Sequence, residues 1–319
     1  MRNLIFLAIL AVGLVFLPNL LSFSQREILV FLTFNVLVVA TYRVMTLTGE
    51  WSLGHVVLMG VGAYTSALLS KDFGLWVPFS VIAGGVMAAL VALLLSYPLF
   101  RMKGFYFLIG SFAAGEIIRL LWKWSGFRNV FGGTKGIKGI PAMPDFSIGF
   151  YNFDFFEPTS YFYLSAVVVA VCLLILWRIE KSPVGLTFHA VHWQDTLAQA
   201  SGVNIRAYKT LAFVIASGFA GIAGALLAHY IGTINPNSFD LDVMVFVLTW
   251  AIVGGTTTFY GPILGCVVLT ALNEVVLRQL GFDQARPLFY GLILILSILF
   301  MPNGLEGIVQ KFTPRKEAK

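Results

Sequence analysis

Glu116 and Arg119 lie three residues apart inside the apolar run from Phe105 to Trp124. Charged groups in such a run are costly and face a protein interior or a wet cavity. On a helix, residues at this spacing can pair. The spacing favours a structural pair that locks this segment to a neighbour; the alternative is a polar element near the outer half of a pathway. Glu274, inside another apolar run, is a further buried-charge candidate, with a hydrogen bond to a neighbouring helix as its simplest role. A proton relay would need a chain of acids or histidines across the membrane, and none is found.

His55 follows Gly54 where an apolar run begins and reads as a hydrogen-bonded structural residue. His189 and His192 are three apart but lack a carboxylate or thiolate companion, so they make a weak metal pattern. His229 closes a small-residue helix. Cys172 and Cys266 sit singly in apolar runs, as small core residues and not as a disulfide or metal pair. The chain contains no CxxC, HExxH or GxxxxGK[ST], so it lacks a Walker phosphate loop of its own. No Ser-His-Asp or Cys-His arrangement stands out. The reading is therefore a non-enzyme, with no catalytic residue, metal or cofactor. Gly254-Gly255-Thr256 and Gly261-Pro262 bracket a short turn. Glycine-rich turns can cradle anions, but no lysine or arginine accompanies this one in sequence, which favours a tight helix–helix connection.

The elements that must carry these residues are membrane helices. Of 319 residues, 58% are hydrophobic and 11% charged, where a soluble domain carries roughly 25% charged residues. With about 20 residues per span, the pattern predicts an all-α integral membrane protein of about ten transmembrane helices. The spans are Leu4–Phe23, Ile28–Thr46, Ser52–Ser70, Val77–Phe100, Phe105–Trp124, Tyr161–Trp177, Leu211–Ile231, Val243–Gly255, Pro262–Leu280 and Pro287–Met301. The first resembles a signal peptide but lacks a clean small-x-small cleavage site, so it reads as a retained span. A broken or re-entrant element is expected near the third.

Net charge is +6. Basic residues of membrane proteins mostly mark cytoplasmic ends, so this excess does not imply nucleic acid. Arg43, Arg101, Lys103, Arg178, Lys181, Arg206 and Lys209 fall on one side of the predicted membrane. The short loops then predict both termini in the cytoplasm. Residues 125–160 form a long external loop rich in glycine, proline and aromatics, either a folded cap or a docking surface. Residues 180–209 form a cytoplasmic loop, and 305–319 a basic cytoplasmic tail that meets the lipid bilayer.

The stretch Glu180–Asp240 organises the chain. Its first half is polar or mixed. Its second half is an apolar helix with small residues four apart: Ala212, Ala216, Ala220, Gly224 and Ala228, beside a second row, Ser217, Gly221 and Ala225. In lipid, such a face lets another backbone approach closely. A water-facing loop is thereby joined to a tightly packed helix.

The stretches SLGHVVLMGVGAYTSALL, FAAGEIIRLLWKW followed by GGTKGIKGIP, EKSPVGLTFHA with AQASGVNIRAYKTLAFVIASGFAGIAGAL, INPNSF and VGGTTTFYGPILGCVVLTALNEV resemble permease subunits of branched-chain amino acid ABC importers, the M-type most closely. The resemblance runs from about Trp51 onward. It implies a single transmembrane permease domain over 1–319 with a five-plus-five pseudo-repeat. It implies a heterodimer with a second permease, two cytoplasmic ATPase subunits, and an external binding protein that delivers the substrate. A coupling loop would dock on the ATPase, and Ser182, Pro183, Gly185, Ala190, Ala198 and Gly202 match the family pattern there. Asp195 stands where the family carries an acid. Leu186, His189 and His192 depart from it, where relatives usually carry arginine, so docking through arginine–carboxylate pairs does not transfer to these positions.

Two other classes compete. Related permeases carry urea, short amides or sugars. An ion-coupled secondary transporter would place paired acids on broken helices, and Glu116 and Glu274 are unpaired in sequence.

Overall fold

The computed structural model describes residue 18 and residues 21–148, 151–155, 157–273, 286–301 and 304–307. These residues are mostly helical. Most of the first predicted span, Glu274 and most of the basic tail lie outside them.

Four helices open the described chain: α1 (Phe23–Thr46), α2 (His55–Lys71), α3 (Val77–Leu99) and α4 (Phe105–Lys123). A one-turn helix α5 (Arg128–Phe131) and strands β1 (Ile137–Lys138), β2 (Phe146–Ile148) and β3 (Tyr151–Phe153) follow. Next come α6 (Pro158–Lys181), α7 (Pro183–Trp193), α8 (Asp195–Ala200) and α9 (Ile205–Ile231). The described part closes with β4 (Thr233–Ile234), α10 (Leu241–Gly254), α11 (Gly261–Ala271) and α12 (Arg286–Phe300). Seven helical segments among the described residues are long and apolar enough to cross a membrane: α1, α3, α4, α6, α9, Pro236–Gly254 and Leu288–Gly307.

The predicted third span is shorter than expected. α2 has 17 residues and is the most enclosed helix, with all but a few of its side chains buried. At 1.5 Å per residue it reaches about 25 Å. It is preceded by irregular backbone that is itself buried at Thr48, Glu50 and Ser52. Such backbone is tolerated at membrane depth only where protein covers it. α11, which begins the ninth span, has 11 residues.

α9 is the hub. It packs on α2 and α3 and, beyond them, on α1. Its small residues explain the closeness. Ala212, Ala216, Ala220, Ala228, Ser217 and Ala225 are fully buried. A Cβ at Gly62 of α2 would collide with the Gly221 backbone, and one at Gly224 would collide with the Met59 carbonyl. Gly84 of α3 meets Gly62 in the same way. Three backbones thus touch at one node, where dispersion and packing, not water exclusion, hold the helices.

The segment after α4 folds over the end of α9. β1 pairs antiparallel with β4, and Ile140 N–H donates to the Gly232 carbonyl at 3.0 Å. Lys71 donates to the Lys138 carbonyl at 2.8 Å. His229 bonds the Pro141 carbonyl through Nδ1 at 2.6 Å. That carbonyl can only accept, so Nδ1 carries the proton and Nε2 accepts from Ser66 at 2.8 Å. Described parts of the loop therefore sit as a cap on the α9 end. The other end of the bundle carries α7 and α8.

Candidate functional site

α6 ends at Lys181, and the chain turns sharply into α7. Ser182 caps α7, its Oγ accepting from Gly185 N–H at 3.5 Å, and Pro183 occupies the first turn, where a missing N–H costs nothing. A Cβ at Gly185 would strike the Glu180 carbonyl, so only glycine lets the helices fold this tightly.

α7 is two-faced. Gly185, Phe188 and Val191 are buried, and Phe188 meets Tyr208 of α9 edge-on, with ring centroids 6.2 Å apart. Leu186 is 65% exposed and Trp193 81%. With Ala190 and Leu197, both exposed, they make an apolar ridge on an end of the bundle otherwise rich in charge. Ala198 of α8 is buried. Gly202 ends α8 at φ +86°, in the left-handed region that favours glycine.

Two ionic clusters fasten this segment. Lys209 of α9 lies 2.8 Å from Glu50 and 3.3 Å from Asp195. Arg43 of α1 lies 2.9 Å from Glu180 of α6. The same guanidinium donates to the Thr256 carbonyl, and to that of Thr257 at 3.3 Å. The turn between α10 and α11 is therefore accompanied by an arginine after all, supplied by a helix far away in sequence. Glu306 accepts from the Thr257 hydroxyl and from Thr258 N–H. In the sequence Arg43 and Lys209 stand out only as orientation charges. Glu180 stands 137 residues from Arg43 and Glu50 159 from Lys209, whereas Asp195 is only 14 residues from Lys209; for the two distant acids the available sign is a carboxylate at the edge of an apolar run.

His189 is partly buried. Burial holds its imidazole below the ordinary value of 6.5; nearby Glu180 opposes the shift, and Arg43, His192 and Lys181 reinforce it. His192 lies against Gly49.

The remaining predicted residues are apart from this segment. His55 is buried and shares a 3.0 Å hydrogen bond with Thr41 of α1. Glu116 and Arg119 form a bidentate pair at 2.6 and 2.8 Å. That pair is partly exposed and closes on its own helix. Glu274 lies outside the described residues. Among the described residues, no group of three or more His, Cys, Asp or Glu side chains could hold a metal.

Residues 23–300 match the family described as branched-chain amino acid transport system / permease component. The chain belongs to this family. It is 29% identical over 280 residues to the high-affinity branched-chain amino acid transport system permease protein LivM of Escherichia coli (strain K12), covering 82% of this chain and 65% of that protein. The match thus spans less than two thirds of the LivM length. A probable branched-chain amino acid transport permease protein LivH of Methanocaldococcus jannaschii is 25% identical over 261 residues, 78% of this chain and 80% of that one. The autoinducer 2 import system permease protein LsrC of Salmonella typhi is 24% identical over 304 residues, 92% and 80% of the two chains. No solved structure matches the chain.

Proposed function

We propose that this chain is a membrane-spanning subunit of an ATP-driven importer for branched-chain, aliphatic amino acids, located in the cytoplasmic (inner) membrane. It forms the pathway with a second permease. Separate ATPase subunits supply the work, and an external binding protein delivers the substrate. The observation that carries this reading is the α7–α8 segment. It is a short two-faced element whose apolar ridge projects at one end of the bundle, in a chain without a Walker phosphate loop. Energy then has to arrive by contact. A push on α7 reaches α9 through Phe188 and Tyr208, and through Asp195 and Lys209. α9 passes it to α2 and α3 across the small-residue node. Ser182, Pro183, Gly185, Ala190, Asp195, Ala198 and Gly202 shape the coupling loop within residues 180–209. Ala216, Ala220, Gly221 and Gly224 form the packed face.

The proposed arrangement is one permease domain of about ten spans in two five-helix halves, with both termini and the α7–α8 end in the cytoplasm. Arg43, Arg178, Lys181, Arg206 and Lys209 cluster at that end, as the positive-inside bias requires. The 125–160 loop is then external. Likeness to LsrC favours one second reading, a permease for another small polar solute.

The test is partner recovery. The chain is tagged, solubilised gently from native membranes, and its stoichiometric partners are identified. An ATPase and a second permease, with ATP-dependent leucine uptake after reconstitution, are expected. Leucine uptake by the chain alone under an ion gradient would overturn the reading in favour of a secondary transporter.

A further inference from the structure

A cavity of about 260 Å³ opens beside α1, α10 and α11, away from the α2–α3–α9 node. It is built from two helical faces. Glu27, Phe31 and Asn35 stand four apart on α1, and Val243, Phe246 and Trp250 stand three and four apart on α10. Ser24 of α1, Thr270 of α11, Asn273 two residues beyond α11 and Tyr290 of α12 add further polar lining. The cavity begins toward the capped end of the bundle, where Arg26, beside Glu27, donates to Thr159 at 3.1 Å. Asn35 lies about 12 Å further along α1 by helical rise, and Trp250 about 13 Å into α10 from Leu241. Polar lining therefore runs from one membrane face toward the middle.

Two features set this cavity apart from a packing defect. Trp250 is 5% exposed, and its Nε1–H has no hydrogen-bond partner among the described residues. A buried donor left unsatisfied is costly, and a ligand in the cavity would answer it. An amide, a hydroxyl and an indole N–H also converge between apolar walls, and polar groups within spans mark substrate pathways.

From this geometry we infer that the cavity is a transit site for a small zwitterion with an aliphatic side chain. The proposal rests on the importer reading and gives that reading a pathway. Glu27, at the outer rim, draws in the ammonium group. The Trp250 indole N–H, with Asn35 and Thr270, receives the carboxylate deeper in. Phe31, Val243 and Phe246 flank the aliphatic part. The volume is below the roughly 300 Å³ at which pockets for drug-sized ligands begin, which suits a solute of amino-acid size. None of the three groups assigned to the carboxylate carries a formal charge, so the site holds its ligand weakly, as a pathway must.

The test uses the reconstituted complete importer and radiolabelled leucine. Trp250→Phe keeps the ring and removes the donor; Thr270→Val keeps the shape and removes the hydroxyl. Each is expected to lower uptake at subsaturating leucine at least tenfold while co-purification of the partner subunits is unchanged. Asn35→Cys supplies an independent readout. Its thiol is expected to react with a small water-soluble thiol reagent added from the outer face, and leucine-loaded binding protein is expected to slow that reaction. Wild-type uptake with both Trp250→Phe and Thr270→Val within twofold of it would overturn the cavity and leave the importer reading standing. No leucine uptake by the wild type, with Asn35→Cys unprotected, would overturn both.

Discussion

Arg43 and Glu180 meet 2.9 Å apart with 1% and 7% of their side chains exposed, joining the end of α1 to the last turn of α6, immediately before α7. The Arg43 guanidinium also holds the carbonyls of the α10–α11 turn. One buried cation therefore fixes three elements at the end of the bundle that carries α7. Removing one partner of a buried pair costs about 3–5 kcal/mol, because the other charge is left uncompensated. Arg43→Met is expected to lower thermal stability in detergent by that order, and Arg43→Met with Glu180→Leu to recover much of it. Equal stability of the single variant and the wild type would remove the pair from this role.

The small-residue node predicts steric sensitivity. Leucine at Gly224 must displace the Met59 backbone of α2. Gly224→Leu is expected to abolish assembly or transport. Leu211→Ala, at a position 40% exposed on the same helix, should be tolerated. Size-exclusion profiles and uptake check both. Undisturbed transport by Gly224→Leu would count against close packing there.

The exposed ridge of α7 predicts a defect of another kind. Leu186→Asp and Trp193→Asp change side chains that touch solvent, so the thermal midpoint should stay within about 2 °C of wild type, consistent with the usual ±0.5 kcal/mol of surface changes. Recovery of the ATPase partner should fall at least tenfold. Normal recovery with both variants would move the docking surface elsewhere.

Acid should loosen α7 through His189. Its folded imidazole titrates below 6.5, chiefly through burial, so the unfolded chain binds more protons between the two values. Stability from this group is present above pH 6.5 and is lost as pH falls through the folded value. His189→Gln should show a smaller loss of thermal stability between pH 7 and pH 5 than the wild type. An unchanged pH profile would assign the acid sensitivity to other groups.

Lys209 bridges Glu50 and Asp195. If this bridge carries motion from α8 to α9, Lys209→Met should uncouple ATP hydrolysis from uptake while the ATPase still co-purifies. Retained coupling would leave Phe188 and Tyr208 as the route.

The membrane class, most helix positions, the small-residue face of α9 and the polar interval that carries α7 and α8 are all legible in the sequence. Each rests on something local: apolar run length, four-residue spacing, or a polar interval between apolar runs. Composition alone set the solvent, because so few charges cannot cover a soluble surface. Tertiary structure decided what no local pattern encodes. It brought Arg43 to Glu180 and to a turn whose own sequence lacks a cation, and Lys209 to Glu50 across 159 residues. It shortened the third span, since α2 is enclosed by protein rather than lipid and need not match the bilayer. It turned Glu116 and Arg119 toward each other on α4. It also placed Asn35, Trp250 and Thr270 around one cavity. Periodicity tells which residues share a face of a helix; which faces meet is fixed only when the backbones pack.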